Sequence, residues 1–582
     1  MKNQELAKIF NEISDFLEAD HIAFKPFAYR KAAIALETME ENISEVYANG
    51  GIKALKNIPG VGLSIAEKIE EYLKTGKIGY HEKLKKTLPV NLEEIIAIEG
   101  MGPRRAKFLY EKLGVRTVAE VEAAAKERRI APLFGFGGKT EKNILEGIEF
   151  LKRSKGRLLL GDILPKVREV RKKLEALPEV KKAELAGSLR RMKETVGDAD
   201  FLVILSPKAG PGGAGRIMDF FTALDGVAKV WGKGGTKASV RMEEGFDMDI
   251  RVLPARSYGA ALQYFTGSKD HNVALRRIAQ DKGLKLSEYG LFRGKEMIAG
   301  RNEEEIYKLL GLQYIPPEMR ENQGEVKAAK DGLLPKIIGY DEIFGDLHCH
   351  SDWDGGSDSI EELAAAAMAR GYRYVGIADH TKFLKIEHGL DEAGLEKRNS
   401  HIDKLNKRFL SEGSDFRVLK GCEANIMPDG SIDITNEALR KLDFAIAGVH
   451  SNMKMEKPAM TRRIIRAMEN PNIDIISHPT GRILKQRDEY PADFDQLLET
   501  AKKTGTILEI NSCPARLDLN DLNIRRAKAA GVKMAINTDA HSADQLRFIE
   551  FGIAQARRGW AEIGDIVNAQ PLQLLLECFK KD

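Results

Sequence analysis

Apolar residues recur every three or four positions through residues 1–150, with almost no strict alternation, and this spacing predicts amphipathic helices joined by short turns. After about residue 155 the pattern changes. "PKVREVRKKLEAL" keeps helical spacing, whereas "KKAELAGS", "ADFLVIL" and "FDMDIRVLP" are short apolar runs that predict strands. The stretch "PPEMRENQGEVKAAKDGLL" is polar and poor in apolar positions, which predicts a linker over 323–340. Beyond it, "YRYVGIADH", "FRVLKGCEANI", "DFAIAGVHS", "IDIISHP", "TILEINS" and "VKMAINTDAH" read as apolar strands between helical stretches. Such units predict a parallel barrel or sheet with its functional residues at the carboxyl ends of strands. The expected division is 1–150, 151–322, a linker at 323–340, and 341–582.

Composition narrows this picture without deciding it. A chain of 582 residues is too long for one core. With 43% hydrophobic and 31% charged residues it suits a globular protein, and it lacks an apolar run of membrane-spanning length or a signal-peptide core near its start. A cytoplasmic protein with no membrane partner is expected. The four cysteines, none in a CxxC pair, argue against a disulfide scaffold and a zinc finger. A net charge of +4 neither demands nor excludes nucleic acid, so local patterns must decide.

Three turns in the helical region resemble one another: "IPGVG" with Gly60 and Gly62, "IEGMG" with Gly100 and Gly102, and "LFGFGG" with Gly135 and Gly137. Each precedes a helical segment. Paired glycines permit positive φ and close approach of backbone, and the following helix offers free N–H groups to an anion. This is the pattern of a helix-hairpin-helix, which grips DNA phosphates without reading bases. One such turn is weak evidence, but three in one helical region are not.

Two further constellations carry chemistry. In "GDADFLVIL", Asp198 and Asp200 are two apart and share one face of the expected strand. Adjacent carboxylates repel, so a cation is expected between them. Eight of the eleven histidines fall in the last region. His348, His350, Asp354, His380, Glu423, His450, His478, Asp539 and His541 gather mainly at the ends of apolar runs, and together they exceed what one metal ion uses. His388 and His401 lie in polar sequence and read as surface residues.

On "DLHCHSDWDGG", "ADH", "CEANI", "GVHS", "SHP" and "TDAH", residues 341–582 resemble the polymerase and histidinol phosphatase (PHP) family, a distorted β/α barrel whose multinuclear metal site hydrolyses phosphoesters. "GSLRR", "GDAD" and "MDIRVLP" resemble the nucleotidyltransferase palm of the DNA polymerase X family. That resemblance implies a multidomain α and α/β chain: a helix-hairpin-helix N-terminal domain, a palm with thumb, and the PHP barrel. It implies that Asp198, Asp200 and Asp249 hold two magnesium ions, and that the nine residues above hold two or three zinc or manganese ions. Their implied partition puts His348, His350, Glu423 and Asp539 on one ion, His450 and His478 on a second bridged by Glu423, and Asp354, His380 and His541 on a third. Gly187, Ser188 and Arg191 are implied as triphosphate contacts, and Gly197 and Gly267 as further nucleotide-binding residues. In "YFTGSKDHN", matched to a nucleotide-binding strand and turn, Tyr264 and Phe265 lie near the sugar, Asn272 towards the base, and Arg276 towards the template. Val196, Lys166 and Asp247 depart from the family pattern.

"FKPFAYRKAA" and "IPGVGLSIAEKIEEYL" resemble the same family's lyase domain, which implies Lys68 as a nucleophile towards an abasic sugar and Lys25, Tyr29 and Lys31 as its 5′-phosphate pocket. Ser64 replaces a second lysine of that motif. The expected activity is filling of short DNA gaps with 3′-5′ exonuclease and abasic-site cleavage, on gapped or nicked DNA with dNTPs, by a monomer. Two rival readings are a DNA-end-binding accessory protein with a non-polymerising palm, and an enzyme for a small phosphomonoester.

Overall fold

The computed structural model describes residues 2–39, 41–98, 101–153 and 156–580. Residues up to Arg153 form helices around one apolar core that includes Phe10, Leu36, Ile69, Leu109 and Ile144. The helix Leu63–Thr75 shows why: Ile65, Ala66, Ile69 and Tyr72 are buried on one face, and the helix stops at Gly76, left-handed at φ 71°. Pro103–Leu113 repeats the device with Gly114 at φ 72°.

The palm is a five-stranded sheet in the order Val180–Leu185, Asp198–Leu205, Asp247–Leu253, Lys237–Met242, Val227–Lys233. Its one parallel pairing sets Asp198 opposite Asp247 and Asp200 opposite Asp249. Beyond the sheet, the three antiparallel strands Lys285–Ser287, Gly290–Arg293 and Glu296–Ala299 pack with helices over a smaller core that includes Leu275, Ile306 and Tyr307.

Two sequence expectations need correction here. Tyr264 and Phe265 lie on the helix Tyr258–Thr266, not on a strand; "YGAALQYFT" buries Ala260, Ala261 and Leu262 consecutively, which suits a helix wedged between packed elements. The stretch 323–340 does connect two cores, but as a folded and packed segment. It contains the helix Glu325–Asp331, and Glu325, Ala329 and Ile338 are buried. Low apolar content misleads because hydrogen-bonded polar groups are buried here: Glu325 meets His271 Nδ1 at 2.7 Å and accepts from the backbone of Asn322 and Gln323.

The last region is a closed ring of parallel strands. Gly345–Cys349, Tyr374–Ile377 and Arg417–Lys420 form one sheet, and Glu423–Asn425, Ile446–Gly448, Ile475–Ile476, Ile507–Asn511 and Met534–Asn537 form the other. Parallel bridges His380 to Glu423 and Cys349 to Ala540 close it. Cys349 and Cys422 pack in the surrounding apolar core.

Candidate active sites

On the palm sheet, parallel register brings Asp198, Asp200 and Asp249 to one face of two neighbouring strands. Burial, then Asp198 and Asp249, pushes the Asp200 carboxyl up to about 7, and burial followed by Asp249 raises Asp198. These acids are thus set against one another, the arrangement that a divalent cation relieves. The Ser239 hydroxyl donates to Asp249. Gly187 has φ +62°, and a Cβ there would lie 2.7 Å from Asp200 Oδ2, so only glycine lets the backbone come this close. The departure at Asp247 is compensated: Arg241 grips it with two nitrogens at 2.6 and 2.8 Å, and Trp231 Nε1 donates to it at 2.8 Å. Lys166 pairs with Glu244 at 2.9 Å, and Val196 is buried.

The other residues expected at the nucleotide are less uniformly placed. Ser188 and Gly197 are half-buried beside the acids. Arg191 is committed to Glu321 Oε1, 3.0 Å away, and to the Thr266 carbonyl, close to Gly267. Tyr264 and Phe265 meet edge to face with centroids 5.1 Å apart. The Asn272 amide is used internally, accepting from Gln263 and donating to the Tyr264 carbonyl, both at 2.6 Å. Arg276 Nε donates to the Asn272 carbonyl at 3.3 Å.

In the barrel, the histidines converge on Glu423, which is 1% exposed. Its Oε2 lies 2.9 Å from His380 Nδ1 and 3.4 Å from His348 Nε2, and its Oε1 lies 3.0 Å from His478 Nε2 and 3.2 Å from His450 Nε2. Asp539 Oδ1 lies 3.4 Å from His350 Nε2 and 3.7 Å from His348 Nε2. Yet His348 Nε2, His350 Nε2, His380 Nδ1, Glu423 Oε2 and His450 Nε2 are buried without a hydrogen bond of good geometry. Close approach without hydrogen bonding suits ligand atoms around shared cations, and unsatisfied groups at this density are otherwise costly. Burial pushes His450 and His541 down to about 4, which leaves neutral imidazoles able to ligate at neutral pH. Burial would likewise lower His350, but Asp354 carries it up to about 10, a proton that a metal ion would displace.

The sets of mutually close ligand atoms differ in part from the implied partition. His348, His350 and Asp539 form one trio, and His380, Glu423 and His450 another. A third joins His350, His380 and His541, and a fourth His350, Asp354 and Asp379; Asp354 Oδ2 meets His350 Nδ1 and the His380 backbone N–H, both at 2.8 Å. Asp354 thus sits where it could orient the His350 ring as well as ligate. A second such orienter escaped sequence reading. Glu509, fully buried, meets His348 Nδ1 at 2.7 Å and accepts from the His478 backbone at 2.8 Å. The available signal was an acid inside the apolar run "TILEINS". His388 is exposed and touches Phe27, and His401 meets Glu361 at 3.0 Å.

In the helical region, Lys68 Nζ donates to Ser64 Oγ at 2.9 Å and lies 6.0 Å from the Tyr29 ring centre. Burial lowers its pKa, helped by Lys25 and opposed by Glu67 and Glu71. Gly60 and Gly135 share left-handed φ values of 76° and 78°; Gly62 and Gly102 are both extended helix caps, at φ −77° and −79°. Gly137 precedes the third helix at φ 156°, and Gly100 lies outside the described residues. A Cβ on Gly60 would strike Lys31 Cγ at 2.7 Å, so this glycine also packs one helix on another.

Comparison with known proteins adds a match along nearly the whole chain. The DNA polymerase/3′-5′ exonuclease PolX of Bacillus subtilis is 35% identical over 579 residues, 98% of each chain. The chain belongs to the DNA polymerase X family. Within this family X chain, residues 1–78 match a helix-hairpin-helix domain, 92–149 a SAM-like helix-hairpin-helix tandem, 261–321 the DNA polymerase beta thumb, and 346–513 the PHP domain. Rat DNA polymerase lambda is 26% identical over 352 residues, 55% of each chain. A probable phosphatase of Syntrophotalea carbinolica is 34% identical over 172 residues, 29% of this chain and 65% of its own. Among the described residues of the family X chain, no helix is long and apolar enough to cross a membrane.

Proposed function

We propose that this protein is a DNA polymerase that fills short gaps and trims 3′ ends with a separate phosphodiesterase site, acting in the cytoplasm as a monomer on gapped or nicked DNA and dNTPs. The observation that carries the reading is the parallel register that puts Asp200 beside Asp249, with Asp198 on the same face and the Gly187 backbone against them. The proposed domains are 1–150 for DNA binding, 151–322 for polymerisation, and 341–582 for hydrolysis, with 323–340 joining the last two.

Two magnesium ions at the aspartates, and two or three zinc or manganese ions at the imidazoles, would neutralise phosphate charge and lower the pKa of the attacking hydroxyl or water. Asp198, Asp200 and Asp249 hold the first set. Gly187 gives the triphosphate room, while Ser188, Gly197, Gly267 and Arg191 line its path; Tyr264 and Phe265 present an aromatic corner to the sugar. Asn272 and Arg276 serve the base pair once Asn272 releases its internal partners. In the barrel, Glu423 and Asp539 draw the imidazoles of His348, His350, His380, His450, His478 and His541 together, and Asp354 and Glu509 fix ring orientation.

Labelled one-nucleotide-gapped DNA, with and without dNTPs and with magnesium or manganese, tests this reading. Asp249→Ala should abolish incorporation and leave 3′ hydrolysis intact. Absence of primer extension by the folded parent would favour the accessory protein, and parallel loss of both activities in a folded Asp249→Ala would refute separate sites.

A further inference from the structure

The strand that carries Asp198 and Asp200 is reached through a loop, residues 191–194, and the short strand Thr195–Val196, and the hydrolytic domain grips this loop from two directions. From the helix Ile549–Arg558, Arg558 donates to the Arg191 carbonyl at 2.9 Å and to Glu321 Oε1 at 3.1 Å, the same oxygen that receives Arg191 Nε at 3.0 Å. Its other terminal nitrogen is anchored on Asp521, within the hydrolytic domain. Arg558 is 4% exposed, so these bonds are made away from water. The second grip comes from the metal-site side of the barrel. Arg482, four residues after His478, donates to Glu194 Oε2 at 2.8 Å and to the Leu517 carbonyl. The Glu194 carbonyl in turn accepts from Leu160, at the start of the palm's first helix.

Apolar packing backs these polar contacts. Leu517, Phe551 and Ala554 of the hydrolytic domain join the buried core of the palm, with Phe201, Val203 and Met248. Gly161 sits so close to Pro514 that a Cβ would fall 2.3 Å from the proline ring. Two domains merely tethered would not share a core.

From this geometry we infer that Arg558 and Arg482, although they belong to the hydrolytic domain, are positioning residues for polymerisation. They hold the loop that presents Arg191 and leads into Asp198, and thereby set the affinity of the polymerase site for the nucleoside triphosphate. The inference rests on the proposed polymerase reading and goes beyond it by making nucleotide affinity depend on the barrel. A loop clamped at both ends pays its ordering entropy on folding and not on each nucleotide encounter.

The test uses the full chain, steady-state gap filling at varied dNTP, and 3′ hydrolysis measured in parallel. Glu194→Ala, at a half-buried position, and Arg558→Lys should each raise the KM for dNTP about tenfold while kcat stays within about twofold, an effect in the usual range for coupled sites. Arg482→Ala combined with Glu194→Ala should raise KM no further than Arg482→Ala alone, because the Glu194 side chain acts through Arg482. Arg168→Ala removes an ion pair with Glu550 across the same domain contact but away from the loop, and should leave KM unchanged. Unchanged KM in Glu194→Ala and Arg558→Lys, or an equal rise in Arg168→Ala, overturns the inference while the polymerase reading stands. A folded parent that degrades DNA but extends no primer overturns both.

Discussion

Replacing Glu303 by glutamine removes one negative charge from between the buried Arg320 and the half-buried Arg190 guanidiniums. Glu303 is 4% exposed and accepts from Arg190 at 2.9 and 2.6 Å, from Arg320 at 2.6 Å, and from Tyr314 at 3.2 Å. Arg320 is fully buried, so it has no water to fall back on. Burial alone would raise the Glu303 pKa, but Arg320 and Arg190 bring it from 4.5 down to about 2. At 1.36 kcal/mol per pH unit this shift corresponds to about 3 kcal/mol, which agrees with the roughly 3–5 kcal/mol lost when one partner of a buried pair is removed. Because the folded pKa lies below the unfolded one, the stabilisation is complete above about pH 4.5 and disappears as pH falls through the folded value near 2. The assay is native-state hydrogen exchange on the helix Glu303–Leu310, which reports local opening without assuming that the whole chain unfolds together. Glu303→Gln should lose roughly a hundredfold in protection at pH 7, and the parent's protection, corrected for intrinsic exchange, should decline between pH 4.5 and 2 while the variant's does not. Less than a tenfold loss at neutral pH would show that the two arginines find other partners and that the charge balance has been misread.

Further outcomes test the other sites. Glu509→Gln should cut 3′ hydrolysis and metal affinity by about 10- to 100-fold while gap filling persists, because it loosens His348 and the His478 backbone together; full metal content by elemental analysis would refute its orienting role. Gly102→Val, where a Cβ meets nothing within 4 Å, should weaken binding to every gapped DNA alike, and an effect confined to one base context would contradict phosphate gripping. Gly60→Val is the poorer probe, since it must also displace Lys31 and the helix beneath. Borohydride should trap a covalent complex between Lys68 and a 5′-incised abasic site, and undiminished trapping in Lys68→Ala would assign the nucleophile elsewhere.

Local patterns made much of this legible. The pairing of Asp198 with Asp200 followed from two-residue periodicity alone, and the convergence of His348, His350, His380, His450, His478 and His541 followed from their places at the ends of apolar strands. The helix-hairpin-helix turns were legible because left-handed backbone at Gly60 and Gly135 selects glycine whatever surrounds it. The segment 323–340 was misread because composition counts apolar residues and does not see that Glu325 has His271 waiting 54 positions away. Tyr264 and Phe265 were read as strand for a related reason, since a run buried on most sides has no periodicity to separate helix from strand.

The sequence by itself determined which residue types could do chemistry and which short elements would carry them, because periodicity, turn preference and ligand chemistry act within a few residues. Only the tertiary structure decided which carboxylates orient imidazoles, that Arg241 offsets Asp247, and that Glu303 lies between Arg190 and the buried Arg320. It also decided that the barrel holds the loop of the palm through Arg482 and Arg558, 288 residues from Glu194 and 367 from Arg191. A side chain's worth in an ion pair or hydrogen bond depends on a partner and on exclusion of water, and both are set by chain segments far apart in sequence.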